Sequence, residues 1–384
     1  MYPKLINFEL FYLNGCYNQT QLEEKKLELI LKDIDSAESD EIVGLLLADG
    51  FLYANTPSFL KSISKIIEYC KFKRIKKLTL LTSMCENFIP FLKDNAIDCK
   101  VEFFNFSHWM IAKGYEYSPS SNHWNYNSQK FLFLGGVPSR HNRITLLYKL
   151  YTAGLLNRAI WSFFPPWTNS DKEWCRIALS MCDDIEYDEF INFCDQSVDT
   201  LYDEAKEYSK LTGAELIEKD IYNKEYLKNV GYINPTIFKE TAISIISEGN
   251  AYDPAKDFRF LTEKTWRPVA NHHPFILVGY REQVEYAKSL GLKTFEQYFA
   301  IPDYYKIVDE VERLEAVVVN VREFLSNYHT QIDDINKDVE HNYQLFVDIF
   351  NNSKDLISAY SPEDRKQFFD SSGWSRLIRI PDVE

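Results

Sequence analysis

Strand-like and helix-like segments alternate along the first hundred residues, and this alternation restricts the folds open to the chain. Apolar runs of strand length are separated by stretches with the 3.6-residue periodicity of amphipathic helices. The predicted elements are a strand at 5–12, a helix at 21–32, a strand at 42–47, a helix at 58–69, a strand at 77–82, a helix at 86–94 and a strand at 99–104. This pattern is typical of an α/β domain with a largely parallel sheet.

A second series of the same kind follows a segment at 114–129 that is rich in serine and aromatic residues. Its predicted elements are a strand at 130–134, a turn at Gly135-Gly136, a helix at 144–153 capped by Gly154, a strand at 159–163, a strand at 241–247, a helix at 262–270, a strand at 274–278 and a helix at 283–290. A chain of 384 residues exceeds the usual size of one hydrophobic core. We therefore expect two domains, at about 1–125 and 126–320.

The remaining parts of the chain are predicted to be helical. Residues 183–239 are acidic and helical in pattern, and we interpret them as an insert in the second domain. From about Val321 apolar residues recur roughly every 3.5 positions, which predicts a long amphipathic helix in a tail at 321–384. We expect this helix to pack back on the two domains. A homodimer formed through it is the alternative.

Composition argues against several classes of protein. The net charge of −14 disfavours a broad, non-specific grip on nucleic acid or on an anionic membrane, although a local basic groove is compatible with it. Seven cysteines without a C-x-x-C pair argue against a disulfide framework and a structural zinc site. The N-terminal residues lack the pattern of a signal peptide, and there is no apolar run of about 18 residues. These features predict a cytoplasmic protein that does not enter a membrane.

Two arginines lie where a helix of the second series is predicted to begin. Arg140 and Arg143 follow an apolar strand, at a helix end where free N–H groups and the helix dipole favour anions. Two guanidiniums three residues apart share a helix face and suit phosphate oxygens. The simpler interpretation is a solvated first turn. Because cations at this end oppose the dipole, we favour phosphate binding.

The segment Phe260-Leu-Thr-Glu-Lys-Thr-Trp-Arg-Pro268 places a carboxylate and two cations at the start of another predicted helix. Glu263 and Arg267 stand four residues apart, so the simpler interpretation is an ion pair on the helix surface. The strand and loop before it and the strand after it favour a ligand instead. A carboxylate accepts hydrogen bonds from both hydroxyls of a ribose, whereas Lys264 and Arg267 neutralise a diphosphate. Glu248 ends the preceding strand, and we predict a supporting role for it at the same edge of the sheet.

This segment, Pro274-Phe-Ile-Leu-Val-Gly279 and Leu290-Gly-Leu-Lys-Thr-Phe295 together resemble the nucleotide-sugar half of GT-B glycosyltransferases. They are most similar to the T-E-K motif of the α-1,3-fucosyltransferase family and to fucosyltransferase-like or exostosin-like proteins that are often phage-encoded. Ser139-Arg-His-Asn-Arg143 resembles the Arg-x-His-Arg-type element that precedes the T-E-K block in those proteins, with one residue changed in spacing. The resemblance covers roughly residues 130–160 and 240–300.

The resemblance implies a GT-B fold, in which two Rossmann-like domains face a cleft, and a donor site for a GDP- or UDP-linked sugar. Glu263 would bind the ribose and Lys264 the pyrophosphate, with Thr262 and Arg267 beside them. Arg140 or Arg143 would support the phosphates or the leaving group. Basic side chains can take over the charge of the departing nucleoside diphosphate, so no metal or cofactor is expected.

Two pairs of neighbouring aspartates are candidate metal ligands. Asp183-Asp184 and Asp333-Asp334 both lie in acidic stretches with a helical pattern. We interpret them as solvated helix faces.

An inverting transfer also needs a base that deprotonates the acceptor hydroxyl. Asp49, at the end of an apolar strand, is the best-placed candidate, because ligands of open α/β sheets bind beyond the carboxyl ends of the strands. His108 is the next candidate. Their simpler interpretations are a turn-forming aspartate and a capping histidine, and a retaining enzyme would use neither as a base.

Three functions are consistent with these patterns. The first is a metal-independent glycosyltransferase whose acceptor is a glycan or a small molecule. The second is a phage-type DNA glycosyltransferase that acts on a hydroxymethylated base and binds DNA through the basic run at 71–77, which is otherwise a solvated turn. The third is a nucleotide-binding module without transfer activity. The sugar, the nucleotide base, the acceptor and the stereochemistry are not encoded in any motif that we find.

Overall fold

The part of the chain that the structure describes contains two four-stranded sheets, and every strand pairing within them is parallel. In the computed structural model the described residues are 4–7, 19–38, 40–46, 57–82, 99–103, 127–136, 141–163, 179, 189–190, 192–193, 236–248 and 261–358. The chain is therefore an α/β protein with parallel sheets, as the alternation of segments predicts.

The first sheet has the strand order β1-β2-β3-β4, so each strand pairs with the next one along the chain. Its elements are β1 (Lys4–Asn7), α1 (Gln19–Asp35), β2 (Glu41–Leu46), α2 (Pro57–Phe72), β3 (Lys77–Thr82) and β4 (Cys99–Phe103). Ile34 of α1 and Ile66 of α2 are buried. The helix predicted at 86–94 lies outside the described residues.

The basic run at 71–77 joins the end of α2 to the start of β3. Lys73 pairs with Asp35, Lys76 with Asp40, and the Lys77 ammonium lies 3.9 Å from a Glu41 carboxylate oxygen. All seven residues except Ile75 are exposed. The run lies at the amino end of β3, whereas ligands of parallel sheets bind beyond the carboxyl ends. These observations favour the solvated turn.

The second sheet has the strand order β6-β5-β7-β8. Its strands are β5 (Phe131–Gly136), β6 (Ala159–Phe163), β7 (Ile243–Ser247) and β8 (Phe275–Val278). The helices associated with it are α3 (His141–Thr152), α4 (Thr236–Lys239), α5 (Glu263–Ala270) and α6 (Arg281–Ser289). The insert predicted at 183–239 lies mostly outside the described residues.

Side chains of β5 alternate between the two faces of this sheet, because successive strand residues point to opposite sides. Phe131 and Phe133 belong to the large hydrophobic core, whereas Leu132 packs in a small cluster with Ile237 and Phe238. The turn predicted at Gly135-Gly136 is wrong. Both glycines belong to β5, and the pairing with β6 shifts register there instead of the chain turning.

Gly154 ends α3 in the left-handed conformation, as predicted, with φ of 66°. The Leu155 N–H donates to the Leu150 carbonyl and the Gly154 N–H to that of Tyr151, both at 2.9 Å, which is the Schellman arrangement. A methyl group added at Gly154 would meet no atom within 4 Å, so substitution costs backbone strain alone.

We expect Gly154→Ala to lower the free energy of unfolding by about 1 kcal/mol, because an L-residue is strained at positive φ. Urea denaturation of the two proteins measures the difference. Gly154→Asn is the matched control, since asparagine adopts this conformation more readily and should be less destabilising. An alanine variant as stable as the wild type would contradict the assignment.

The single helix predicted from about Val321 is wrong, because two helices occupy this region. Helix α7 (Glu310–Asn327) is followed by a 3-10 turn (Tyr328–Thr330) and by α8 (Ile332–Ser358). The break places Tyr328 in the core, where its hydroxyl donates to the Ser128 carbonyl at 2.7 Å and its ring stacks on Phe324. The apolar period continues through the break, which explains why the pattern resembles one helix.

Both C-terminal helices pack on elements of the second sheet. The Lys149 ammonium of α3 lies 2.6 Å from the Glu315 carboxylate of α7. Trp266 of α5 contacts Phe346 of α8, with ring centroids 6.2 Å apart. The described contacts of the tail are thus with the second sheet, and its packing on the first domain and a homodimer both remain predictions. None of the helices in the described ranges is long and apolar enough to cross a membrane.

Candidate functional site at the carboxyl end of β7

Hydrogen bonds connect the first turn of α3 to the end of β7. The Asn142 amide donates to the Ser247 hydroxyl at 3.1 Å and to the Glu248 carbonyl at 3.4 Å. The Arg143 guanidinium donates to the Ser247 carbonyl at 3.4 Å. All four side chains are buried. The N-terminus of α3 therefore lies at the edge of the sheet where ligands of α/β proteins bind.

The first turn of α5 is hydrogen-bonded to Glu248, directly after β7. One carboxylate oxygen of Glu248 accepts hydrogen bonds from the Thr262 N–H, at 3.0 Å, and from the Thr265 hydroxyl. Glu248 and Thr265 are both fully buried. Ser247 and Glu248 thus connect the N-terminal ends of two helices, whose dipoles both present positive potential to this edge.

Thr262 is the N-cap of α5, and its hydroxyl accepts the Lys264 N–H at 3.2 Å. The Thr265 N–H donates to the Thr262 carbonyl at 3.2 Å. The N–H groups of residues 262, 264 and 265 are therefore all used within the protein. It follows that an anion at this helix start has to be held chiefly by side chains.

Lys264 and Arg267 lie on one face of α5 and are partly exposed. They line a groove that is partly open to solvent, together with Leu132 and Leu134 of β5. Phe238 of α4 also lines this groove. In the described part of the chain, two cations that are one helical turn apart thus lie beside an apolar surface.

The structure brings four predicted site residues to one edge of the sheet, namely Arg143, Glu248, Thr262 and Lys264. Glu263 is the first residue of α5, and Arg267 lies in its last turn. Arg143 and Glu248 are buried in hydrogen-bonded positions instead of lying open to a ligand. The other three candidates, which are Asp49, His108 and Arg140, lie outside the described residues.

Three polar residues of the edge were not predicted from the sequence. Asn142, Ser247 and Thr265 are each buried and hydrogen-bonded there. The position of Thr265 could have been predicted from the sequence, because it follows the N-cap by three residues and shares a helix face with it. The positions of Asn142 and Ser247 could not, since their partners are more than a hundred residues away along the chain.

The two histidines before β8 are packing residues. The His272 ring stacks on Tyr343 with centroids 3.7 Å apart. The imidazole of His273 is buried, with Nε2 at 2.9 Å from the Thr241 carbonyl and Nδ1 at 3.0 Å from the Ser244 hydroxyl. Burial lowers the pKa of His273 to about 4, although its backbone hydrogen bonds act in the opposite direction.

Asp333 and Asp334 lie exposed in the first turn of α8, where acidic residues suit the helix dipole. Asp334 pairs with Lys337 at 2.8 Å. This confirms the solvated helix face predicted for them. Asp183 and Asp184 lie outside the described residues, and within those residues no three histidine, cysteine, aspartate or glutamate side chains are placed to hold a metal ion.

No family model matches the sequence, and no curated protein matches it. Among solved structures, the chain is similar to a UDP-forming α,α-trehalose-phosphate synthase from Burkholderia xenovorans, with a TM-score of 0.37 and 9% sequence identity, over 89% of this chain and 80% of that one. The same kind of enzyme from Burkholderia vietnamiensis gives a TM-score of 0.36 and 11% identity, over 90% and 80%. Both TM-scores are low, so the proposals below rest on the residues and contacts described above.

Proposed function

We propose that the chain is a glycosyltransferase that moves a sugar from a nucleoside diphosphate sugar to an acceptor hydroxyl. One observation carries the proposal: the Thr262-Glu-Lys264 segment forms the capped first turn of a helix at the carboxyl edge of a parallel sheet. Ligands of open α/β sheets bind at such an edge, and diphosphates favour helix N-termini. The partly exposed Lys264 supplies the cation that such a ligand requires.

The donor is held mainly by the side chains of α5. The Lys264 ammonium neutralises the diphosphate, the Glu263 carboxylate accepts the ribose hydroxyls, and Thr262 and Arg267 border them. Because most N–H groups at this helix start are already used within the protein, the Lys264 ammonium matters more than the backbone. Arg140 and Arg143 strengthen the positive potential from α3.

In the transfer, the acceptor oxygen forms a bond to the anomeric carbon while the bond from that carbon to the diphosphate oxygen breaks. The bonding electrons leave with the nucleoside diphosphate, and the cations stabilise its new charge without a metal ion. In an inverting reaction the acceptor proton passes to a base of the N-terminal domain, for which Asp49 and His108 are the candidates. This division of roles requires a GT-B arrangement of domains at about 1–125 and 126–320.

The first test is thermal unfolding with UDP, GDP, ADP, UMP and uridine. UDP or GDP should raise the melting temperature, because a ligand that binds only the folded state at 100 times its Kd adds about 2.7 kcal/mol of stability. Uridine, which lacks phosphate, serves as the control. No response to any nucleoside diphosphate or nucleotide sugar would count against the proposal.

Mass spectrometry then separates an enzyme from a nucleotide-binding module. The protein is incubated with a panel of nucleotide sugars and candidate acceptors, including glycans, small molecules and DNA with hydroxymethylated bases. A product heavier than its acceptor by one sugar residue identifies both substrates. Stabilisation by nucleotide without any product from the panel would favour the module.

A further inference from the structure

We propose that Glu248 is a positioning residue of the donor site, which fixes the start of α5 and thereby the direction of the Lys264 side chain. This inference rests on the proposed function. It gives the supporting role predicted for Glu248 a definite form, namely hydrogen bonds to the first turn of α5.

The burial of Glu248 and the direction of its bonds support this role. Its side chain is fully buried, and a single carboxylate oxygen accepts both the Thr262 N–H and the Thr265 hydroxyl. The two donors flank Lys264 in the sequence. The carboxylate therefore holds the first turn of α5 on both sides of the residue that is proposed to contact the diphosphate.

Helix α5 needs such an anchor because it is short. It has eight residues, and Pro268 lies within it without an N–H to donate. Helices of this length are not stable on their own and depend on caps and on tertiary contacts. A carboxylate at the N-terminus is also favourable for the helix dipole.

The position of Lys264 depends on where α5 begins. Each residue of a helix turns by about 100°, so starting the helix one residue later would point the Lys264 ammonium to another side. Asn142 meanwhile ties α3 to Ser247 and to the Glu248 carbonyl. Glu248 thus fixes the first turn of α5 relative to the helix that carries Arg143.

Three variants test the inference: Glu248→Ala, Thr265→Val and Glu248→Gln. We expect Glu248→Ala and Thr265→Val each to weaken binding of UDP or GDP about 10-fold or more in calorimetry, because small displacements of binding groups are costly. The carbonyl oxygen of a glutamine can accept both hydrogen bonds. Glu248→Gln should therefore stay within about 3-fold of the wild type. Glu312→Gln, at the exposed start of α7, is the matched control.

The effect on binding must be separated from general unfolding. Circular dichroism at the assay temperature shows whether each variant is folded. If Glu248→Ala does not fold, Thr265→Val still tests the inference. Folded alanine and valine variants that bind the nucleotide as the wild type does would overturn the inference and leave the proposed function standing. A glutamine variant as weak as the alanine variant would also overturn it, since the charge itself would then be required.

Hydrogen exchange tests the anchor even if no nucleotide binds. The Thr262 and Lys264 amides are hydrogen-bonded at the start of α5 and should exchange slowly in the wild type. In Glu248→Ala they should exchange about 10-fold faster or more, while amides of α7 keep their rates. Unchanged protection at Thr262 would overturn the inference. A wild type with no nucleotide affinity but the expected exchange would contradict the proposed function, and only the anchoring of α5 by Glu248 would stand.

Discussion

Lys264→Ala is expected to remove the stabilisation by nucleoside diphosphates and to abolish measurable transfer. A charge-assisted hydrogen bond contributes about 1.5–3 kcal/mol, which corresponds to a 10- to 100-fold loss of affinity. The loss of turnover should be larger, because the leaving group gains negative charge as its bond to the sugar breaks. Calorimetry with UDP and GDP, together with product formation under saturating donor, measures the two effects separately.

Two matched variants make this result specific. Lys264→Arg keeps the cation at the same position and should retain part of the affinity. Lys130→Ala removes an exposed lysine at the amino end of β5, at the opposite edge of the same sheet, and should change neither binding nor turnover. If Lys264→Ala bound the nucleotide as tightly as the wild type, the T-E-K turn would not be the donor site.

The alternation of apolar patterns was sufficient to predict most of the described strands and helices. Strand β3 and strand β6 have the predicted bounds, and helix α2 is extended by only a few residues. The turn predicted at Gly135-Gly136 and the single helix predicted from about Val321 were wrong. In both cases contacts with distant parts of the chain outweighed the local sequence preference. Gly135-Gly136 continues a strand because Gly136 pairs with Phe163 of β6, and Tyr328 interrupts a helix because its hydroxyl has a buried partner.

The place of the candidate site residues on the fold was predictable from the sequence, but the contacts between them were not. A cap residue followed by charged residues, after an apolar strand, locates a helix start at the carboxyl edge of a sheet. The sequence does not reveal that Arg143 and Glu248 are buried, because their partners are distant along the chain. The Arg143 contact with Ser247 spans 104 positions, and a pattern of local spacing contains no information about it.

His273 is expected to make the protein less stable in mild acid. In the folded chain its pKa is about 4, whereas the unfolded value is about 6.5. Between these values the unfolded state binds the proton more readily, so stability is lost as the pH falls from about 6.5 towards 4. The expected loss from this residue between pH 7 and pH 5 is about 2 kcal/mol.

His273→Gln should remove this part of the pH dependence, because a carboxamide does not titrate and can still donate to the Thr241 carbonyl. At pH 7 the variant should be less stable than the wild type, since it packs less well against Phe238, whose ring meets the imidazole edge-on. The difference in the free energy of unfolding between the two proteins should narrow by about 2 kcal/mol at pH 5, as measured from urea midpoints at both values.

His329→Gln, a change at an exposed histidine, should leave the pH dependence of the wild type in place. A difference that stays constant between the two pH values would show that the pKa of His273 is not lowered in the folded chain.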